Sequence, residues 1–324
     1  MSESSYPRLL GDVGGTNARF AWQAAPGQLI ESVCTYPCKD YVSLLAALQH
    51  YLKEQGKPVP HSCSIGIATP LVGDEVKMTN HHWSFSISAL ERALGVKRLL
   101  VINDFTALAL SLPSLPAEDL VQVGGGAPKA GAPVALLGPG TGLGVSGLLP
   151  APRGGGLVPI MGEGGHVTLS PTNDREEAVT RALRDRFGHA SAERALSGPG
   201  LVNLYQALCG LDGANASLST AAEVSDSAIG GSNTQAVESL ALFLSMLGTV
   251  AGNLALSLGA LGGVYVGGGI LPRLGGDRIA RSGFRAAFEQ KGRYRDYMAA
   301  IPVYVIVAKQ SPALAGASRA LDEL

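Results

Sequence analysis

Two stretches of the chain follow one pattern. Residues 8–22 read RLLGDVGGTNARFAW, and residues 134–149 read VALLGPGTGLGVSGLL. Each runs as an apolar strand ending in Leu-Leu-Gly, a glycine-rich turn that includes a threonine, and a second apolar strand. The recurrence hints at two related α/β halves, each opening with a strand–turn–strand hairpin. A length of 324 residues agrees, since about 150 residues per domain suggests two domains, each large enough to bury a core.

The rest of the first half alternates strands and helices. Arg8–Val13, Arg19–Gln23 and Leu29–Thr35 read as strands joined by turns, and Tyr41–Lys53 has the apolar spacing of a helix. Cys63–Ala68 is a strand ending at Thr69-Pro70, and Val76–Asn80 reads as a short hairpin arm. Ile87–Leu94 is a short helix, Arg98–Ile102 a buried strand, and Phe105–Leu112 a helix that stops at Pro113. A Pro/Gly-rich connector covers about 113–133. Segment 173–262 is rich in helix, strand Val264–Val266 follows, and Val303–Val307 and Pro312–Leu321 close the chain as strand and helix.

From Ser239 to Pro272 there is no charged residue, a length that raises the question of a membrane span. Gly248, Gly252, Asn253, Gly259, Gly262 and Gly263 interrupt it, and no Lys/Arg cluster or aromatic belt flanks it. A long buried helix over about 235–261 is the reading adopted. Lys plus Arg number 25 against 26 Asp plus Glu, so no basic excess points to nucleic acid or to an anionic membrane. Cys34, Cys38, Cys63 and Cys209 make no CxxC pair, which argues against structural zinc and for reduced thiols. The opening MSESSYPRLLGD has neither a basic nor an apolar leader region, so a cytoplasmic protein is expected.

The glycine turns carry the chemistry. Adjacent glycines in a tight turn expose backbone N–H groups that can form an anion nest. In the first turn, Thr16 and Asn17 add side-chain donors, and Asp12 stands beside them. An acid alone would repel phosphate, but with Mg²⁺ between them both charges are compensated. The same residues also fit an ordinary hairpin with Asx-type bonding, and the stretch alone leaves both readings open. There is no GxxxxGK[ST] motif. Gly142–Gly147 satisfies GxGxxG, but Pro150 and Pro152 follow where a dinucleotide fold opens a helix. A second phosphate hairpin, with Gly138, Gly140, Thr141 and Gly142 in its turn, is preferred. A third cluster, Gly267–Gly269, follows a strand; it is either a plain turn or a bare backbone surface for a flat ring.

With these clusters in order, the chain resembles bacterial glucokinases, in the zinc-less group of the sugar kinase/actin/heat-shock ATPase superfamily. The resemblance rests on GDVGGTNARF (11–20), TNHHWSF (79–85), INDF (102–105) and GPGTGLG (138–144). It continues through GEGGHV (162–167), ERALSGPGLVNLY (193–205), GGVYVGGGILPR (262–273) and SPALAGA (311–317), nearly the whole chain. It implies two actin-like, ribonuclease H-like α/β domains with a nucleotide and sugar cleft between them. The expected small domain is 1–112 plus about 308–324, because the last helix returns to the first domain; the large domain is 113–307. It implies phosphorylation of D-glucose at its 6-hydroxyl by ATP with Mg²⁺, in a homodimer. The cysteine–histidine cluster of the related repressor/kinase family has no counterpart in the sequence, and the N-terminal DNA-binding helices of its repressors are not expected.

The resemblance also assigns residues. Asp104 is the expected general base; it ends a strand of parallel type, where open sheets place ligand-binding residues, and its spacing alone fits an N-cap of the following helix equally well. Asn103 suits adjacent sugar hydroxyls, or its own turn. Glu163, His166 and Glu193 are expected on the sugar by resemblance only; a Glu in a helix's first turn is commonly just favourable to the dipole. Gly11, Asp12, Val13, Gly14, Gly15, Thr16, Asn17, Gly138, Thr141 and Gly142 are expected on the nucleotide phosphates, Gly268 and Gly269 on the adenosine, and Asp12 on the metal. Asn80 and Trp83 either shape the sugar pocket or support it. His81 and His82 lack a second ligand cluster and are not read as metal ligands. The competing readings are a sugar sensor that has lost its chemistry, an actin-like or chaperone ATPase and, more distantly, a nicotinamide enzyme.

Overall fold

A computed structural model describes residues 5–79, 81–151 and 156–324. The chain divides into two units: Met1–Ala117 with Pro150–Met161 and Ala308–Leu324, and Glu118–Leu149 with Gly162–Val307.

In the first unit the strands are β1 (Arg8–Val13), β2 (Asn17–Gln23), β3 (Glu31–Pro37), β4 (Ser62–Ile67), a small arm of β5 (Glu75–Lys77) and β6 (Ser84–Ser86), and β7 (Arg98–Asn103). The main sheet runs β3-β2-β1-β4-β7. β1 pairs antiparallel with β2, and β1, β4 and β7 are parallel. Every residue of β4 (SCSIGI) is buried, as a central parallel strand requires. The helices are α1 (Leu44–Glu54), α2 (Ile87–Leu94) and α3 (Asp104–Ser111). Val13, Ile67 and Asn103 stand at one level, so β1, β4 and β7 end along one edge of the sheet.

The last helix, Ala313–Glu323, packs on α3, β1 and β4. Arg8 on β1 has a fully buried side chain. Its guanidinium pairs with Asp322 at 2.6 Å and donates to the Ser318 carbonyl at 2.9 Å. The helix sits so close to α3 that a methyl group on Gly316 would lie 1.6 Å from the carbonyl oxygen of Ala107. Alanine in place of a mid-helix glycine ordinarily gains about 1 kcal/mol. Here the obstacle is backbone, and overpacking of this kind costs about 1–3 kcal/mol or more, so the sign reverses. Gly316→Ala is expected to lower the midpoint of urea unfolding; a raised midpoint would refute the close approach.

In the second unit the strands are β8 (Leu120–Gly124), β9 (Val134–Pro139) and β10 (Leu143–Pro150), then, after β11 (Leu157–Pro159) of the first unit, β12 (Val264–Val266) and β13 (Val303–Ile306). They run β10-β9-β12-β13-β8. The first four repeat the order β2-β1-β4-β7: an antiparallel hairpin, then two strands parallel to the hairpin's first. The two similar hairpin sequences thus open two sheets of the same topology. Two details differ from the sequence reading. β8 lies inside the Pro/Gly-rich connector, where no strand is expected, and pairs antiparallel with β13. Segment 150–161 groups with the first unit; Leu157 N–H reaches Glu323 Oε2 at 3.3 Å.

The helices here include α4 (Asp174–Phe187), α5 (Ala192–Ala195), α6 (Gly198–Asp212), α7 (Ala221–Gly230) and α8 (Thr234–Leu258). α8 is long and apolar enough to cross a membrane, but 72% of its most apolar window is buried inside the protein. A methyl group on Gly248 or Gly252 would meet the carbonyl oxygens of Phe284 and Phe288 at 2.1 and 2.6 Å. Those glycines let the helix Phe284–Glu289 pack against α8. The uncharged stretch is therefore a core helix, with Asn233 capping its start and Gly259 in the left-handed region at its end.

Candidate active site

In the first unit the β1–β2 turn spends one amide on itself. Gly14 N–H donates to Asn17 O at 2.9 Å, which closes the hairpin. The amides of Gly15 and Thr16 donate to no group among the described residues, so the turn leaves these two unspent, as an anion nest requires. Gly11 and Val13, assigned to the nucleotide by resemblance, lie within the sheet. Gly11 faces Ile65 and Phe20, and Val13 is fully buried. Neither offers a side chain to a ligand.

Asp12 stands beside this turn with its side chain 14% exposed. Its Oδ2 accepts from Ser311 Oγ at 2.6 Å and from Arg19 Nη1 at 3.2 Å. Oδ1 accepts from no described residue. No group of three His, Cys, Asp or Glu side chains that could cage a metal occurs among the described residues. A single carboxylate with one oxygen unspent fits Mg²⁺, which is commonly held by one or two carboxylates together with substrate phosphates and waters.

Asn103 and Asp104 stand at the end of β7, level with Val13. Two inter-strand spacings, about 10 Å, separate β7 from β1. Asn103, not Asp104, caps α3: Asn103 Oδ1 accepts from the amides of Phe105 at 2.9 Å and Thr106 at 3.3 Å. Its amide nitrogen donates to Thr69 O at 3.5 Å. Of the two roles that the spacing leaves open for Asp104, the cap falls to Asn103 instead. Two adjacent good cappers compete, and the one still in extended conformation, with ψ 146°, takes the role. Asp104 is the first helical residue and half-buried, and its Oδ1 accepts from Phe105 N–H at 2.9 Å.

Trp83 proves to be a support. It is 2% exposed, and its indole N–H donates to Tyr41 O at 3.0 Å. His81 meets the Trp83 ring edge-on and lies against His82 with the two rings tilted by 38°. Desolvation first, and then the His82 charge, push the His81 pKa below its ordinary value. Asn80 lies outside the described residues.

In the second unit the β9–β10 turn repeats the arrangement. Gly140 N–H donates to Gly142 O at 2.8 Å, and the amides of Thr141 and Gly142 donate to no described group. Gly138 is within β9, paired with Gly144. Leu143 N–H donates to Glu193 Oε2 at 2.9 Å, and Gly198 N–H to Gly140 O at 2.7 Å. The segment that bears Glu193 therefore grips the β9–β10 turn. Glu163 and His166 are exposed on a short 3₁₀ turn, Gly164–His166. The bare Cα of Gly165 lies over Leu143 O, where a methyl group would come within 2.0 Å. Val167 O accepts from Ala192 N–H at 2.8 Å, and Ala190 O from Leu169 N–H at 2.9 Å. These bonds pin the Glu163/His166 loop to the Glu193 loop.

The glycines after β12 divide their roles. Gly268 adopts φ +83°, and a side chain there would meet Pro139 O at 2.3 Å, so its bareness serves the protein's own packing. Gly269 has nothing within 4 Å of that position and is open to a ligand. Sequence reasoning missed Arg19 and Ser311 at Asp12, and Leu143 at Glu193. Ser311 opens the SPALAGA motif, but a partner 299 residues away leaves no local signal.

A family model described as Glucokinase matches residues 9–324. The glucokinase of Aromatoleum aromaticum is 54% identical over 98% of this chain and 95% of its own. That of Chromobacterium violaceum is 54% identical over 98% of this chain and 90% of its own. The crystal structure of a glucokinase from an Antarctic psychrotroph superposes with a TM-score of 0.88 at 36% identity, covering 98% of this chain and 99% of that one. Its likeness places the doubled β-hairpin topology in the two-domain, actin-like kinase fold. With the match running from the first strand through the last helix, the chain belongs to the glucokinase family.

Proposed function

We propose that this chain catalyses transfer of the γ-phosphoryl group of ATP to the 6-hydroxyl of D-glucose, giving glucose 6-phosphate and ADP. The observation that carries it is the edge of the first sheet. An Asn-Asp pair suited to a polyol ends β7 on the same sheet edge at which β1 ends, where an acid, Asp12, stands beside two unspent amides. Phosphoryl transfer depends mostly on positioning and on stabilising charge, and these are the groups it requires.

In this proposal Asp104 takes the proton of the 6-hydroxyl as the oxygen attacks. Asn103 keeps Oδ1 on the helix and offers its amide nitrogen to a neighbouring hydroxyl. Glu163, His166 and Glu193 bind the remaining hydroxyls. The amides of Gly15, Thr16, Thr141 and Gly142, with the side chains of Thr16 and Asn17, hold phosphate oxygens, and Gly269 lies against the adenosine. Mg²⁺, held at Asp12 together with the phosphates, supplies neutralisation of their charge. A cytoplasmic homodimer completes the proposal, with sedimentation equilibrium and cell fractionation as its checks.

The test is initial-rate formation of glucose 6-phosphate from glucose and MgATP. Turnover that requires both supports the reading. Glucose that raises the melting temperature without turnover would indicate a sensor, and ATP hydrolysis indifferent to glucose would indicate a different ATPase.

A further inference from the structure

We propose that Ser311 is the positioning residue for Asp12, holding Oδ2 so that Oδ1 is presented to the metal and nucleotide; this rests on the reading of Asp12 as the metal-bearing acid. A carboxylate at a strand end rotates freely unless one oxygen is tied. Two donors reach the same oxygen, Oδ2. Arg19 is the weaker tie. It reaches Oδ2 at 3.2 Å and its side chain is 41% exposed, where solvent screens the attraction. The Ser311 hydroxyl makes a 2.6 Å bond, in the range of a charge-assisted O–H···O⁻ contact.

Ser311 is also diverted from its ordinary use. A serine just before a helix commonly caps it. The helix Ala313–Glu323 has no side-chain cap at its start, and the Ser311 hydroxyl goes to Asp12 instead. The hydroxyl is a firm anchor because the helix behind it is immobilised. Gly316 is seated on Ala107, and Ser318 and Asp322 are bound to Arg8. Asp12 thus takes its orientation from a residue 299 positions away.

The test compares ADP binding by calorimetry with magnesium and with a chelator, in the wild type and in Ser311→Ala. A hydrogen bond to a charged group of this kind corresponds to about a 10-fold effect or more. The factor by which magnesium tightens ADP is expected to fall about 10-fold in Ser311→Ala, with metal-free ADP affinity and glucose affinity unchanged. The KM for MgATP is expected to rise by a similar factor, with a smaller change in kcat. Ser311→Thr, which keeps the hydroxyl, restores both and guards against a folding artefact. An unchanged magnesium factor in folded Ser311→Ala overturns the positioning role. Asp12→Asn separates the two ideas. If it removes the magnesium factor while Ser311→Ala does not, only the positioning role fails; if it leaves the factor intact, the reading of Asp12 fails as well.

Discussion

Replacing Asp104 with alanine is expected to lower kcat for glucose phosphorylation by about 10²–10⁴-fold, the usual contribution of a positioned general base. The variant is informative because of where the cap lies. If Asp104 capped α3, its loss would cost helix and chemistry together. The cap is Asn103, whose Oδ1 holds the amides of Phe105 and Thr106. Asp104→Ala leaves that cap in place and forfeits a first-turn acidic side chain, worth about 0.3–1 kcal/mol through the helix dipole, together with its bond from Phe105 N–H. The melting temperature should therefore fall by a few degrees at most, and glucose should still bind in equilibrium dialysis. A kcat within 10-fold of wild type would remove Asp104 from the chemistry. Asn103→Ala makes the complementary control: it removes the cap and should lose about 1 kcal/mol of stability.

The second large effect is expected at a glycine. A methyl group on Gly142 would lie 2.4 Å from Glu193 Oε2. The atom in the way is the end of a flexible side chain, so the fold survives and the carboxylate moves. Moving it breaks the bond from Leu143 N–H, a contact to a charged group worth about 1.5–3 kcal/mol. Gly142→Ala is thus expected to raise the KM for glucose by about 10–100-fold and to lower the unfolding midpoint by no more than the loss of that one bond accounts for. A substitution in the turn proposed to hold phosphate would then be read out mainly on the sugar. An altered KM for ATP with the glucose KM unchanged would show that Glu193 does not depend on this turn.

Much of this was legible in the residues because the signals were local. α2 begins and ends where the sequence places it. Ser86 caps it by accepting from Ala89 N–H, and Gly95 closes it in the left-handed region. β1 and β12 are apolar runs cut off by glycines, and their bounds follow from that. β8 was not legible. It is five residues in a connector full of glycine and proline, and its partner β13 lies some 180 residues further on. The candidate site divides the same way. Both glycine turns read as turns, but the sequence could not tell which amides the turns consume. That the bareness of Gly268 clears Pro139 needed the packing. The contacts of Ser311 with Asp12 and of Glu193 with Leu143 join distant segments, and nothing in either segment announces the other.

The tie between β1 and the last helix has a consequence for how the protein is made. Arg8 leaves the ribosome well before its partner, because the carboxylate that pairs with it follows 314 residues later. At ordinary elongation rates that is about 15–60 s of synthesis. Through that interval the side chains of Leu10 and Ala21 lack Leu314, Ala317 and Leu321, which cover them in the finished protein. Most of the second unit is drawn from the interior of the chain, Gly162–Val307, and emerges before the helix that completes the first. The unit whose first strands are made earlier is therefore the one completed later, and a ribosome stalled short of residue 313 would present a complete second unit joined to an uncovered first sheet.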